Sequence, residues 1–230
     1  MVATSGWGIG HAAVRMPEPI DVDRPPSAAP PAYAAKGPNT FVVAPGRGRV
    51  FGTAGPVRRY RVAVETGSPV PAEEFAAFVD ATLSDRRGWI SGRDVRLQRV
   101  ASRGGGYAFT VYLATPGTAY RLCRTAGLDI RWRGSPYTSC RAGDRVVINM
   151  ARYLHGVPGY GAPLRTYRQY AINHEVGHAL GHGHELCPGR GRPAPVMQQQ
   201  TFGLRGCVAY SWPYRGGHRY AGRSGEVGPA

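Results

Sequence analysis

His174-Glu175-Val176-Gly177-His178-Ala179-Leu180-Gly181-His182-Gly183-His184 is the stretch on which the rest of the chain turns. It spells H-E-x-x-H-x-x-G-x-x-H without a gap. On an α-helix, residues four apart stand one above the other, so His174 and His178 share a face. Two neutral imidazoles on one face supply two corners of a tetrahedral metal site. Glu175 adjoins the first of them and can reach a water there without being a ligand, the placement a general base needs. Gly181 lets the backbone leave the helix, because glycine adopts positive φ without a Cβ penalty. The chain then turns and brings His184 back as the third ligand. Three protein ligands leave one position of a Zn²⁺ ion open, which is the pattern of a catalytic site and not of a closed structural one. His182 is the competing third ligand, four residues after His178 if the helix continued. The glycines on either side of it argue that the helix ends and favour His184.

The eleven-residue pattern resembles that of the metzincins, a class of zinc metallopeptidases. The resemblance implies a zincin-like fold, bound zinc and a methionine turn beneath the metal. Pro195-Val196-Met197 is placed for that turn, with Met197 thirteen positions after His184. Met197 is then expected to pack and not to bind metal. Several metzincins carry a tyrosine two residues after this methionine to support the transition state. Here the position is Gln199, leaving Tyr210 and Tyr214 as the substitutes to consider. From about Thr40 to about Tyr214 the chain also resembles a family of actinobacterial exported proteins catalogued as a domain of unknown function. The match is carried by Tyr60-Arg61-Val62-Ala63-Val64-Glu65, Phe78-Val79-Asp80-Ala81-Thr82-Leu83, Tyr167-Arg168-Gln169-Tyr170-Ala171-Ile172-Asn173 and Ala194-Pro195-Val196-Met197-Gln198-Gln199-Gln200-Thr201. It implies a peptidase fold and supplies no substrate.

Outward from the motif, the helix is expected over 164–180. Tyr167 and Tyr170 fall near its histidine stripe and read as core packing before they read as partners of the site. Gly177 in a helix interior costs about 1 kcal/mol against alanine, so a strand or substrate passing close by is the expected reason for it. Before the helix, 145–150 (Arg-Val-Val-Ile-Asn-Met) reads as a buried strand by composition, and the zincin-like arrangement that the resemblance implies makes this the region where an extended peptide would pair. Alternation of Tyr60, Val62 and Val64 makes 59–65 a strand. Phe75, Phe78, Val79 and Leu83 make one face of a helix that starts near Pro71, with Glu73 and Glu74 as dipole partners in its first turn. Strands are expected over 95–102 and 107–114. In the first, Arg99 falls on the apolar face, so the strand either ends near Gln98 or contains a bulge. Gly104-Gly105-Gly106 is a turn, 119–125 a short helix and 126–143 irregular. His155 reads as a loop residue.

Composition sets the compartment and the partners. The chain has 230 residues, enough for one domain and a tail, and its 33 Gly and 20 Pro promise abundant loops. Its four cysteines, Cys123, Cys140, Cys187 and Cys207, allow three pairings into two disulfides. Sequential pairing would close loops of 17 and 20 residues, each stabilising by about 3 kcal/mol. The competing role, Cys187 as a metal ligand three residues after His184, is redundant beside three histidines. Disulfides imply an oxidising, extracellular or cell-envelope location. Residues 1–20 show no basic stretch followed by an apolar one, so an export signal is not visible in them. No run of eighteen apolar residues exists, and no transmembrane segment is expected. Net charge is +15, and 28 of the 29 basic residues are arginine. The arginines are scattered, without a basic helix or a run of five, so a nucleic-acid partner is not expected.

These readings converge on an α/β (α+β) zincin-like domain over 40–214, with a twisted mixed sheet, an active-site helix and an irregular disulfide-braced C-terminal part. Residues 1–39, rich in Pro, Ala and Gly, and 215–230 read as tails. His11 in the first of these reads as a surface histidine. The expected activity is hydrolysis of a peptide or protein, or of a cell-wall peptide. A non-catalytic zinc-containing envelope binding module is the first alternative, and the intact Glu175 argues against it; a basic nucleic-acid-binding protein driven by the +15 charge is the second, less favoured one.

Overall fold

In the computed structural model, which describes residues 31–101 and 106–226 with Met1 and Gly228, the alternation at 59–65 becomes the strand on which the sheet is built. β1 (Phe41–Val43) runs antiparallel to the second half of β2 (Val57–Glu65). After α1 (Ala72–Leu83) the chain returns as β3 (Arg96–Arg99), parallel to the first half of β2. β4 (Phe109–Ala114) lies on the other side of β2, parallel to it. α2 (Pro116–Arg124) and a small hairpin of β5 (Arg131–Trp132) and β6 (Ser135–Pro136) lead to β7 (Cys140–Ala142). β8 (Arg145–Asn149) inserts between β4, parallel, and β7, antiparallel. The order β1-β2-β4-β8-β7, with β3 beside β2, makes a mixed six-stranded sheet.

Period-two alternation divides the sheet into two faces. Tyr60, Val62, Val64, Val111, Leu113, Val146 and Ile148 point to one core, which they share with α1, α3 (Met150–His155) and α4 (Leu164–Ala179). Val147, Ala114 and Ala142 point the other way, under α2. Each large apolar side chain buried this way contributes about 1.5–3 kcal/mol. That is what clamps α4 against the sheet. The α1 stripe is as read, with Phe75, Val79 and Leu83 buried and Phe78 packed at their edge.

Arg99 does fall on the core face, and no bulge removes it. It pairs with Asp80 of α1 at 2.9 Å, and Tyr60 donates a hydrogen bond to the same carboxylate at 2.7 Å. A charge that breaks the apolar pattern is thus answered by one from the facing helix. The region 126–143, expected to be irregular, supplies three short strands, the last of which is the sheet edge. The expectation that the strand at 145–150 would offer its edge to a peptide is therefore corrected. β8 is paired on both sides, and the free edge belongs to β7. Disulfides join Cys123 to Cys140, fixing α2 to that edge, and Cys187 to Cys207 within the largely irregular part after α4. Residues 2–30 with His11, as well as Ser102, Gly104 and Gly105, lie outside the described residues. No helix among the described residues is long and apolar enough to cross a membrane, and the two disulfides fit an oxidising, extracellular environment.

Candidate metal centre

α4 ends where the motif says it should. Gly181 takes φ 98°, its N–H donates to the His178 carbonyl at 3.1 Å, and His182 N–H donates to the Gly177 carbonyl at 3.0 Å. This pair of bonds is a Schellman C-cap, which satisfies the last carbonyls and turns the chain back over the helix. Glu185 N–H then reaches the Met197 carbonyl at 3.1 Å, tying the returning loop to the Pro195–Gln198 turn. The result brings His184 to His174 and His178.

The three imidazoles meet through their Nε2 atoms. His178 Nε2 is 3.2 Å from His174 Nε2 and 3.1 Å from His184 Nε2. On the outer side, Nδ1 of His174 is 2.8 Å from the Val196 carbonyl, and Nδ1 of His178 is 2.8 Å from the His182 carbonyl. A carbonyl only accepts, so these Nδ1 atoms carry the hydrogen and the Nε2 atoms present lone pairs. His184 turns its Nδ1 toward the Glu226 carboxylate at 3.5 Å. Lone pairs facing one another at such distances repel unless a cation stands among them. Protonation is not the remedy, because burial holds His174 well below the usual histidine range and pulls His178 down to about 4. Burial also lowers His184. A tetrahedral set of metal-bound nitrogens is about 3.3 Å apart, close to the two short separations here. An acceptor behind each ligating ring is the outer shell that orients such ligands. The donor set therefore fits a metal ion, and these three histidines could hold one.

Glu175 lies in the same cleft, 6% exposed, and burial pushes its carboxyl up to about 8. A dication beside it would act in the opposite direction. The cleft has a volume of about 550 Å³. Leu128–Ile130 and Thr138–Arg141 form one lip, including the free edge of β7, while Gln199, Thr201 and Phe202 form the other. Tyr170 lines its floor, with its ring 5.4 Å from that of His174, whereas Tyr167 packs edge-on against Tyr160. Tyr170 thus belongs to both core and site, and Tyr167 to the core alone.

Other candidates are placed elsewhere. The His182 ring stacks on Trp89 at 4.3 Å and is not one of the gathered histidines, although the residue lines the cleft and its carbonyl accepts from His178. Cys187 is in a disulfide. Tyr210 donates to the Tyr214 carbonyl at 2.9 Å, and neither residue lines the cleft. Met197 is fully buried against α4 at Gly177. A Cβ on Gly177 would collide with the Met197 sulfur and come within 2.6 Å of Trp89, so the helix glycine answers to these two side chains and not to a passing strand.

Two contributors carried no sequence signal. Trp89 buttresses α4 by donating its indole N–H to the Asn173 carbonyl at 2.9 Å. The segment read as a C-terminal tail forms a hairpin, β9 (Tyr214–Arg215) with β10 (His218–Arg219), and then runs back along the His184 loop. Leu186 N–H donates to the Arg223 carbonyl at 2.8 Å, Gly225 N–H to that of His184 at 3.2 Å, and Arg219 pairs with Glu185 at 2.6 Å. Nothing in the composition of 215–226 announces this, because most of the contacts are made by backbone.

A family model described as protein of unknown function (DUF3152) matches residues 27–212. The match includes the sheet, α4, the three histidines and Met197, and stops short of Glu226. No curated protein and no solved structure matches the chain.

Proposed function

The chain belongs to the family described as protein of unknown function (DUF3152), and we propose that it is a zinc-dependent metallopeptidase with a zincin-like domain, acting outside the cytoplasm. One observation carries this reading. Three histidines turn their Nε2 atoms toward one another in an open cleft that also holds a buried carboxylate. Purely structural zinc sites are closed by a fourth protein ligand, and among the described residues three histidines gather here with no fourth candidate ligand grouped with them.

Zinc held by His174, His178 and His184 would supply the Lewis acidity that makes water a nucleophile at neutral pH. Glu175 takes the proton from the attacking water and delivers it to the departing amine. Its low exposure keeps bulk water from competing for that proton. The Val196 and His182 carbonyls hold the first two rings in the tautomer that leaves Nε2 free. The open edge of β7 offers backbone groups to an extended peptide laid along the cleft. The substrate is a peptide bond in a protein or a cell-wall peptide.

The test is cleavage of a peptide mixture, read by mass spectrometry, with zinc-loaded wild type and Glu175→Gln side by side. Cuts made by the wild type, lost in the variant and abolished by a chelator are the expected result. A wild type that binds one zinc and leaves every peptide intact would sink the reading, as would a purified protein that neither contains nor takes up metal.

A further inference from the structure

Arg141 is the middle residue of β7, whose exposure runs buried, exposed, buried. Cys140 and Ala142 belong to the core beneath α2. Arg141 stands opposite Val146 in the β7–β8 register, and Val146 belongs to the core beneath α4. The pleat therefore puts the guanidinium on the α4 side, at the edge of the sheet. There it lines the cleft with the three histidines, near enough for its charge to bear on the His178 ring.

Apart from Glu175, the base of the proposed reaction, the other charges around the cleft are engaged. Asp129 is gripped by Arg131 at 2.7 and 3.0 Å, so its charge is neutralised within its own turn. Arg145 donates to Thr125. Glu226 is on the far flank, at His184. Arg141 alone of this lip's ions has no hydrogen-bond, ion-pair or ring partner among the described residues. An arginine fork facing histidines that would hold a dication sets like charges against each other. An anionic group on whatever enters the cleft removes that conflict. A carboxylate matches the fork in shape, accepting two parallel N–H bonds.

We propose that Arg141 is the specificity-determining residue of the cleft, and that it binds a carboxylate of the peptide lying along β7. This rests on the peptidase reading above and names its substrate class, peptides that carry an acidic side chain or a free C-terminus at one defined place. Both sources present the same group, so the experiment must separate them.

The test uses the zinc-loaded full-length chain carrying Glu175→Gln, which binds without cutting. Fluorescein-labelled peptides of one backbone sequence are titrated by anisotropy. One set moves a single Glu along a Gln-containing, C-terminally amidated peptide. A second set has no Glu and a free C-terminal carboxylate, in several lengths. One position of the carboxylate is expected to bind about tenfold to hundredfold tighter than its neutral counterpart, the size of a charge-assisted fork. A preference seen in the first set identifies an acidic side chain, and one seen in the second identifies the chain end. Arg141→Gln should flatten that preference, and Arg141→Glu should transfer it to a Lys at the same position. Arg141 is exposed, so neither change disturbs the core. A preference that is absent, or that survives both substitutions, overturns the proposal. The two readings fail separately. Retained acidic preference with no cleavage by wild type removes the peptidase and leaves Arg141, whereas cleavage indifferent to acidity does the reverse.

Discussion

Replacing Gly177 with alanine separates local propensity from tertiary packing, because the two predict opposite signs. In an exposed helix interior, Gly→Ala stabilises by about 1 kcal/mol. Gly177 is instead buried in α4, between His174 and His178. The added methyl would collide with the sulfur of Met197, lie 3.3 Å from the Met197 methyl and 2.6 Å from Cζ2 of Trp89. Met197 is 0% exposed and Trp89 is 2% exposed, so neither has solvent to move into. Trp89 is further pinned by its bond to the Asn173 carbonyl and by its stack on His182. Overpacking of this kind costs about 1–3 kcal/mol, and two bulky, confined neighbours put it in the upper half of that range. Subtracting the helix gain leaves a net loss of about 1–2 kcal/mol. For a domain near this size that lowers Tm by about 2–8 °C. The assay is urea and thermal unfolding of wild type, Gly177→Ala, Met197→Ala and the double variant, in chelator. The double variant should lose less than the sum of the singles, since Met197→Ala makes the room that the methyl needs. Gly177→Ala unfolding at or above the wild-type temperature would refute the packing account and leave propensity as the governing term.

Two further outcomes follow from the same contacts. Burial, with Asp80 as second cause, raises the Tyr60 hydroxyl far above its ordinary value near 10; burial first, then the neighbouring Tyr170 and Tyr167, raises Tyr160, while burial pushes Tyr153 up to about 12. A raised folded value means that the protonated tyrosines stabilise fully below about pH 10 and lose that contribution as pH climbs past it, each at about 1.4 kcal/mol per pH unit. Tyr60→Phe leaves Asp80 with Arg99 and should reduce the alkaline slope of unfolding free energy by one proton's worth; an unchanged slope between pH 10 and 12 counts against the assignment. On the zinc reading proposed above, Glu226→Gln should weaken zinc binding by up to about tenfold, at the low end for a residue behind a ligating ring because the carboxylate is 83% exposed. Competition with a chromogenic chelator measures this, and equal affinities would mean that Glu226 does not orient His184.

The candidate metal site was legible because its three histidines lie within eleven consecutive residues, where spacing on a helix and one glycine stop are enough to bring side chains together. The longer periodic elements were legible for the same reason: β2, α1 and α4 show their buried faces in their own sequence. β7 did not, because Cys-Arg-Ala has no alternation to speak of and is a strand only by virtue of pairing with β8. Arg99 shows the converse. Its own strand marks it as a violation, and only the facing helix supplies the carboxylate that resolves it.

Three matters were decided by the sequence alone: which histidines converge, which carboxylate stands beside them, and which residues form the principal helices and strands. Covalent spacing and backbone periodicity determine these without reference to distant parts of the chain. Tertiary structure alone decided that the Val196 and His182 carbonyls leave Nε2 of two rings free, that Met197 and Trp89 occupy the space at Gly177, and that Cys123 pairs with Cys140. It also decided that β7 is the open edge, with Arg141 on the cleft side. Each of these depends on backbone groups or on residues far apart in sequence, and their distances exist only once the sheet has fixed where α4 and its returning loop lie.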